Sequence, residues 1–223
     1  SKLIHGGLRY LQNLEIGLVR ESLRERRIWS NIAAHMVDPL TFILPAKSRK
    51  ALRNRLKMSL GLTAYDWLAY DRNRLDDPAK MLPGHRHLTR EEVIELEPDM
   101  ADLDMPGAMM YYDYQMYSPE RIALACIHDA VENGADAANY AEVTGFLKDE
   151  GARIGGVVVR DRLTQQGGIA VRGRVTVNAA GPWADLVMAL LTDSRRPRSL
   201  IRSKGIHLVT RALTRGHALA LPL

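Results

Sequence analysis

Apolar residues recur at helical spacing near the start of the chain and then give way to a continuous apolar run. Between residues 8 and 35, leucines and isoleucines three or four positions apart are separated by arginines and glutamates, which predicts an amphipathic helix with room for one break. Asp38 and Pro39 predict its end, because the residue before a proline avoids the helical region. The apolar run at 40–46 predicts a buried strand.

The rest of the chain mixes helical and extended patterns. Thr89, with Glu92 three residues later, matches a capping box and predicts a short helix that Pro98 closes. The patterns beyond it predict a strand at 108–116, a helix at 118–134, strands within 135–149, 153–162 and 167–177, the last ending at Val175 and Val177, and a helix at 184–191. This succession predicts an α/β or mixed α+β fold rather than a helical bundle.

Composition narrows the class of protein. The 223 residues can bury a sizeable core. Lysine and arginine exceed aspartate and glutamate by 31 to 26, a formal charge of +5, which suits an anionic ligand, an acidic membrane surface or nucleic acid. The single cysteine, Cys126, excludes an internal disulfide framework and fits a reducing compartment. No apolar run has the length of a membrane span.

Basic residues are concentrated in the segment 47–67. Its lysines and arginines precede the first acid, Asp66, while leucines, Tyr65 and Trp67 supply an apolar surface. Two interpretations stay open: a helix lying on an anionic membrane surface, or a solvated cationic face packed on its own domain. No recognised nucleic-acid-binding motif accompanies the charge, so no nucleic-acid partner is expected.

Small residues turn the chain at 178–183, where the sequence reads NAAGPW. Small side chains at the carboxyl end of a strand leave room for a ligand to approach the backbone. Close packing of a strand against the following helix needs the same residues. Both interpretations of this turn therefore stay open.

Four motifs, taken in order, resemble a known family. They are SKLIHGGLRYL at 1–11, NYAEVTGFL at 139–147, VTVNAAGPW at 175–183 and KGIHLV at 204–209. Together they resemble the FAD-dependent glycerol-3-phosphate dehydrogenases of the aerobic, quinone-linked type, members of the amino-acid-oxidase-like flavoprotein class. The resemblance extends over nearly the whole chain.

The resemblance implies an α/β (mixed α+β) fold in which parts of two domains are interleaved. Residues 1–37 and 118–192 would form part of an FAD-binding Rossmann-like domain, and residues 38–117 and 193–223 part of a mixed-sheet substrate domain. The chain contains no G-x-G-x-x-G fingerprint, whose glycines let the backbone approach the FAD pyrophosphate. We therefore expect an internal fragment that lacks the dinucleotide-binding loop and the C-terminal part of the family.

The resemblance also implies a set of FAD-binding residues. The flavin would be lined by Ser1, Lys2, Leu3, His5, Gly6, Ala180 and Gly181, and the adenosine side would be touched by the backbone of Val143. Without the resemblance, His5 is an ordinary hydrogen-bonded histidine. No metal site is predicted.

Substrate-binding residues are implied in the same way. Arg9 and Tyr10 match positions near the substrate, where a guanidinium pairs with phosphate and a phenol hydrogen-bonds a hydroxyl. Lys204 would also bind substrate, on or just before a strand that crosses the substrate face. His207 matches the active-site histidine, so the expected catalytic residues are His207 and Arg9. The alternative for each is a solvated or half-buried side chain.

The implied reaction is oxidation of glycerol 3-phosphate to dihydroxyacetone phosphate, with hydride transfer to FAD and electrons passed to the membrane quinone pool. An oxidase relative would use oxygen instead. We expect a cytoplasmic protein, peripheral on the inner face of the cytoplasmic membrane, with residues 47–67 on the anionic surface and a homodimer as the assembly. Two other classes stay open: a same-fold flavoenzyme acting on an amine or amino acid, and a non-catalytic basic module that binds acidic lipid or nucleic acid.

Overall fold

The computed structural model describes residues 2–46, 51–191, 200–201 and 205–221. The helices are α1 (Ile16–Ile32), α2 (Ala51–Leu68), α3 (Arg90–Leu96), α4 (Pro119–Glu132) and α5 (Ala184–Ala189). The strands are β1 (Leu3–Ile4), β2 (Val37–Pro45), β3 (Arg86–Thr89), β4 (Gly107–Met116), β5 (Ala141–Lys148), β6 (Ile154–Asp161), β7 (Ile169–Arg172) and β8 (Ala218–Leu219). The predicted mixed α/β class is confirmed.

Two compact units make up the chain, Ser1–His128 with Thr210–Leu223, and Asp129–Val209. The boundaries of these units differ from those of the predicted domains. β1 and β2 both pair with β4, so residues 1–37 and 38–117 belong to one unit. The assignment of individual segments to FAD binding or substrate binding stays a prediction.

The first unit is built around β4. β2 pairs with β4 antiparallel along its whole length, from Val37 opposite Met116 to Pro45 opposite Ala108. β1 pairs with one end of β4 and β3 with the other, both antiparallel, while β8 extends the sheet parallel to β2. The strand predicted at 108–116 is therefore the centre of the sheet.

The two faces of β4 meet different layers, since side chains alternate across a strand. Met110 packs on one face in a buried cluster that includes Val93 of α3. Tyr111 packs on the opposite face against the cluster of Val19 from α1 and Tyr65 from α2. Helices thus cover both faces, which explains why β4 is apolar on both sides rather than strictly alternating.

The helix predicted at 8–35 is confirmed together with its break. Leu8–Asn13 form a 3-10 turn, Leu14 adopts a φ of 59°, and α1 follows from Ile16. β2 begins at Val37 rather than at residue 40. Pro39 is tolerated inside it because β8 pairs with β2 only at Phe42 and Ile43, so no described strand pairs with the edge beside Pro39.

The capping box at the start of α3 is confirmed. The Glu92 peptide donates to the Thr89 hydroxyl at 3.2 Å, and the Thr89 peptide donates to the Glu92 carboxylate at 2.7 Å. Both bonds satisfy amides that a helix start leaves without partners. The helix ends at Leu96, before Pro98.

The second unit contains the antiparallel sheet β5-β6-β7. The strand predicted to run on to Val177 is wrong beyond Arg172, where β7 ends. Val175 and Val177 are exposed, and within the described residues no neighbouring strand pairs with them, so no ladder of hydrogen bonds extends the strand to these positions. Residues 205–210 are also exposed and form no strand, so the strand expected around His207 is not observed.

The carboxylate of Glu97 fixes the segment that precedes β8. Glu97 is 2 % exposed and accepts the Arg215 peptide at 2.9 Å and the His217 Nδ1 at 2.7 Å. Burial raises the pKa of Glu97, but the hydrogen bonds from Arg215 and His217 outweigh it, so the net pKa lies below its ordinary value. The stability that Glu97 contributes is therefore complete above its unfolded pKa and lost as pH falls through the folded pKa.

We expect Glu97→Gln to lower the unfolding free energy at pH 7 by about 1–3 kcal/mol, because the buried charged acceptor of the Arg215 peptide and the His217 ring is lost. The difference from wild type should shrink as pH falls through the lowered pKa of folded Glu97, where the carboxylate becomes protonated. Denaturant titrations at pH 7 and at acid pH measure both effects. Glu95→Gln, at an exposed position of α3 two residues earlier, is the control, and equal pH dependence of the two variants would contradict the assignment.

Candidate functional site

A cavity of about 460 Å³ lies in the first unit, between the start of the chain and the sheet. Four of the predicted site residues line it together: Leu3 and His5 from the first strand and the loop after it, and Arg9 and Tyr10 from the 3-10 turn. Phe42 of β2 and Tyr111 and Asp113 of β4 are also part of its wall. This size is in the usual range of small-molecule sites.

Gly7 turns the chain so that these side chains converge. Gly7 has a φ of 75°, a conformation that side chains other than glycine rarely adopt, and it caps the turn Leu8–Asn13. The Tyr10 peptide donates back to the Gly7 carbonyl at 2.8 Å. His5 before the turn and Tyr10 within it thus come close, with ring centroids 6.5 Å apart.

Gly6, in the same loop, is buried and has no room for a side chain. A Cβ at this position would overlap the Tyr65 hydroxyl and the Leu23 side chain. The Gly6 peptide donates to Asp113 Oδ1 at 3.0 Å. Gly6 therefore serves close packing against the protein itself, and neither Gly6 nor Lys2 is in the wall of the cavity.

A buried ion pair lies under Gly6. Arg26 of α1 donates to Asp113 of β4, and both side chains are 2 % exposed. The Tyr65 hydroxyl donates to the same carboxylate oxygen at 2.9 Å, and Arg26 also donates to the Tyr112 carbonyl at 3.0 Å. We call Arg26, Tyr65 and Asp113 the buried triad. It joins α1 and α2 to the central strand.

Protonation in the buried triad follows from its environment. Burial raises the pKa of Tyr65 well above its ordinary value, and the charge of Asp113 raises it further, so the hydroxyl stays a donor. Burial alone would lower the pKa of Arg26, but Tyr65 and Asp113 raise it, so the guanidinium stays charged. Every donor in the triad therefore keeps its proton at neutral pH.

His5 presents a defined tautomer. The Gly7 peptide donates to His5 Nδ1 at 3.1 Å. A backbone amide can only donate, so Nδ1 acts as an acceptor and the neutral ring carries its proton on Nε2. His5 is therefore a hydrogen-bond donor at Nε2 toward a ligand.

Arg9 supplies positive charge at the cavity. Its side chain is exposed, and within the described part of the chain it makes no ion pair or hydrogen bond. Several other arginines of the first unit do have side-chain partners, as Arg20 has in Asp71 at 2.8 Å. An uncommitted guanidinium beside the Tyr10 phenol suits an anionic ligand that carries a hydroxyl group.

Sequence reasoning missed Phe42, Tyr111 and Asp113. Phe42 and Tyr111 are opposite each other on β2 and β4, with rings stacked at 5.0 Å between centroids. Burial raises the pKa of Tyr111 far above its ordinary value. The usable signal was period-two spacing in the strand YYDYQ, where Tyr111 and Asp113 share a face. A single acid in an aromatic strand indicates a paired carboxylate.

The other predicted site residues lie in the second unit or outside the described residues. Val143 and Ala180 line a smaller cavity of about 160 Å³. The Asn178 side chain ties the turn there, accepting from the Ala180 peptide at 3.2 Å, and Gly181 begins the 3-10 turn before α5. His207 is exposed and lines neither cavity. Ser1 and Lys204 lie outside the described residues.

The residues around the larger cavity fit a flavin. The stacked Phe42 and Tyr111 rings with Leu3 offer an apolar surface for a planar ring, and His5 offers a donor for its heteroatoms. A protein-family model described as FAD dependent oxidoreductase matches residues 1–223. The chain belongs to this family of FAD dependent oxidoreductases. The expectation of an FAD-dependent oxidoreductase is thus confirmed at the level of the family.

The chain is similar to curated members of two kinds. A glycerol-3-phosphate dehydrogenase of Mycobacterium leprae is 38% identical over 212 residues, which are 94% of this chain and 34% of the relative. An alpha-glycerophosphate oxidase of Enterococcus casseliflavus is 32% identical over 214 residues, 94% of this chain and 33% of the relative. The chain spans about a third of the length of these curated relatives.

A solved structure shares the fold. The glycerol-3-phosphate dehydrogenase from Bacillus halodurans, complexed with FAD, has a TM-score of 0.54 and 26% identity over 83% of this chain and 27% of its own. The family resemblance inferred from the four motifs is therefore confirmed by both kinds of relative.

We expect Gly6→Ala to destabilise the first unit by about 1–3 kcal/mol, since an added methyl group must displace Tyr65 or Leu23 in a packed site. Denaturant unfolding measures this. Gly17→Ala is the matched control, because Gly17 lies in α1 with open space around it, where alanine should stabilise by up to about 1 kcal/mol. Equal stability of Gly6→Ala and wild type would show that the loop is not packed as described.

Proposed function

We propose that the protein carrying this chain oxidises sn-glycerol 3-phosphate to dihydroxyacetone phosphate with FAD as its cofactor. The observation that carries the proposal is the convergence of His5, Arg9 and Tyr10 on one cavity, with the Arg9 guanidinium free of ion pairs within the described residues. Support comes from the 38% identity to a glycerol-3-phosphate dehydrogenase.

Each side chain has a proposed task. Arg9 binds the substrate phosphate through paired hydrogen bonds, and Tyr10 hydrogen-bonds a hydroxyl, so that the carbinol carbon is oriented in the cavity. His207 accepts the hydroxyl proton or orients the substrate, a role that rests on the family motif. Lys204 adds positive charge for the phosphate.

The proposed cofactor-binding residues are those that the family motifs imply. Leu3 and His5 would contact the flavin, and the proposed set also contains Ser1, Lys2, Gly6, Val143, Ala180 and Gly181. When bound, FAD supplies the acceptor for the hydride of the carbinol carbon. The donor at His5 Nε2 suits an acceptor atom of the flavin or the substrate.

An anaerobic titration of the full-length FAD-loaded protein with glycerol 3-phosphate tests the reaction. We expect the visible flavin absorbance to bleach. A protein that holds FAD but stays yellow would contradict glycerol 3-phosphate as the substrate and favour an amine or amino acid. A protein that cannot be loaded with FAD would overturn the whole proposal.

We expect Arg9→Met to raise the KM for glycerol 3-phosphate by about 10- to 150-fold, the equivalent of a lost charge-assisted hydrogen bond of about 1.5–3 kcal/mol. Steady-state kinetics with an artificial electron acceptor measures it. Arg24→Met removes an exposed arginine of α1 outside the cavity and should leave the KM unchanged. If both variants behave alike, Arg9 is not the phosphate ligand.

We also propose that electrons pass to membrane quinone and that the protein is peripheral on the inner face of the cytoplasmic membrane. α2 supports this, because Leu56, Leu60 and Trp67 form one stripe along its outer side and are 63%, 63% and 76% exposed. Basic residues cluster in the same segment. Among the described residues, no helix is long and apolar enough to cross a membrane.

Sedimentation with vesicles tests the membrane surface. We expect the protein to bind vesicles of anionic phosphatidylglycerol and not of neutral phosphatidylcholine, and Leu60→Glu to weaken binding by about tenfold or more, because a charge replaces an apolar contact. Leu163→Glu, at an exposed leucine of the second unit, is the control. Binding that is unaffected by Leu60→Glu would contradict the assignment, and a loss of self-association instead would assign the stripe to the proposed homodimer.

A further inference from the structure

Asp113 belongs to two structures at once. Its carboxylate is buried among Arg26 and Tyr65, yet Asp113 is also part of the wall of the larger cavity. The recorded hydrogen bonds from Gly6, Tyr65 and Arg26 all fall on Oδ1. One oxygen atom therefore links the loop that lines the cavity to both helices behind it.

We propose that Asp113 is a positioning residue, whose carboxylate, held by Arg26 and Tyr65, fixes the Gly6 peptide and thereby sets the orientation of His5 toward the cavity. The link from Gly6 to His5 is short. The Gly6 peptide is held by Asp113 at 3.0 Å, and the next peptide, Gly7, holds His5 Nδ1 at 3.1 Å. A displacement of the Gly6 peptide would therefore also move the Gly7 peptide and the His5 ring that it holds.

Stability alone does not account for the buried triad. A buried ion pair pays a large desolvation cost and is often replaced by apolar residues without loss of stability. The surrounding cluster of Val19, Leu23 and Leu68 is apolar and could be continued by such residues. The triad instead provides partners for two backbone groups that apolar residues could not satisfy, the Tyr112 carbonyl on the strand and the Gly6 peptide on the loop.

Tyr65 makes the contact tight. Its hydroxyl lies where a side chain of residue 6 would be, and it donates to the oxygen that Gly6 also uses. The two side chains that bind Asp113 also contact each other, since Arg26 Nη1 lies 3.3 Å from the Tyr65 hydroxyl. Loss of either donor leaves Oδ1 less constrained and lets the loop shift.

The control for this proposal is a second buried carboxylate in the same unit. Asp71 is 5 % exposed and is held by Arg20 at 2.9 and 2.8 Å and by Arg27 at 3.4 Å. It does not line the cavity. Asp71→Asn therefore removes a buried, arginine-bound charge without touching the loop.

The experiment compares Tyr65→Phe, Asp113→Asn and Asp71→Asn in the full-length FAD-loaded protein. We expect the first two to lower kcat by about tenfold or more with a smaller change in KM, because a misplaced group costs rate more than binding. FAD affinity, from fluorescence quenching on reconstitution, should fall with them. Asp71→Asn should lower only the unfolding midpoint.

A second readout follows the histidine itself. In protein with ¹⁵N-labelled histidine, the His5 signals, assigned with His5→Gln, should show Nδ1 without a proton in wild type and a mixture of tautomers in Tyr65→Phe. If Tyr65→Phe and Asp113→Asn change only stability, as Asp71→Asn does, the proposal is overturned. Should Asp113→Asn not fold, Tyr65→Phe decides alone.

The proposal rests on the proposed function only through the substrate used for kcat and KM. A wild-type protein that binds FAD but is not bleached by glycerol 3-phosphate would contradict the proposed substrate. FAD affinity and the His5 tautomer would still decide whether Asp113 positions the loop.

Discussion

The hydrogen bond from the Gly6 peptide to Asp113 joins residues 107 positions apart in the chain. It carries the start of the chain onto the central strand, and the same carboxylate holds α1 through Arg26 and α2 through Tyr65. Since a buried carboxylate needs all its donors, the position of each of these elements constrains the others. The cavity exists because this arrangement leaves space between the loop and the sheet.

The two faces of β4 have different roles in the first unit. One face, with Met110, packs into an apolar cluster beneath α3 and supports the fold. The other face presents Tyr111 and Asp113 to the cavity and to the helices. Because successive side chains of a strand point to opposite faces, neighbouring residues can serve packing and ligand binding without conflict.

The cavity combines a rigid floor with side chains from a short loop. Phe42 and Tyr111 are held in register by the β2–β4 ladder, whereas His5, Arg9 and Tyr10 depend on the turn at Gly7. The Gly6 peptide ties this loop to Asp113 of the sheet, so the position of the loop depends on the residues behind it. The buried triad can therefore affect function as well as the exposed side chains of His5, Arg9 and Tyr10.

Local chemistry could be predicted from the sequence. The capping box at Thr89 and Glu92, the helix after residue 8 and the strand at 108–116 depend on neighbours within a few residues, and the pattern of polar and apolar residues records them. The family and the roles of His5, Arg9 and Tyr10 came from motifs, which the structure then placed in one cavity.

Only the tertiary structure decided that Gly6 packs against Tyr65, that Asp113 holds its peptide, and that Phe42 and Tyr111 form the floor, because these contacts join residues 48 to 107 positions apart or depend on strand register. The predicted end of a strand at Val177 was wrong for the same reason, since pairing requires a partner strand that the local pattern does not reveal.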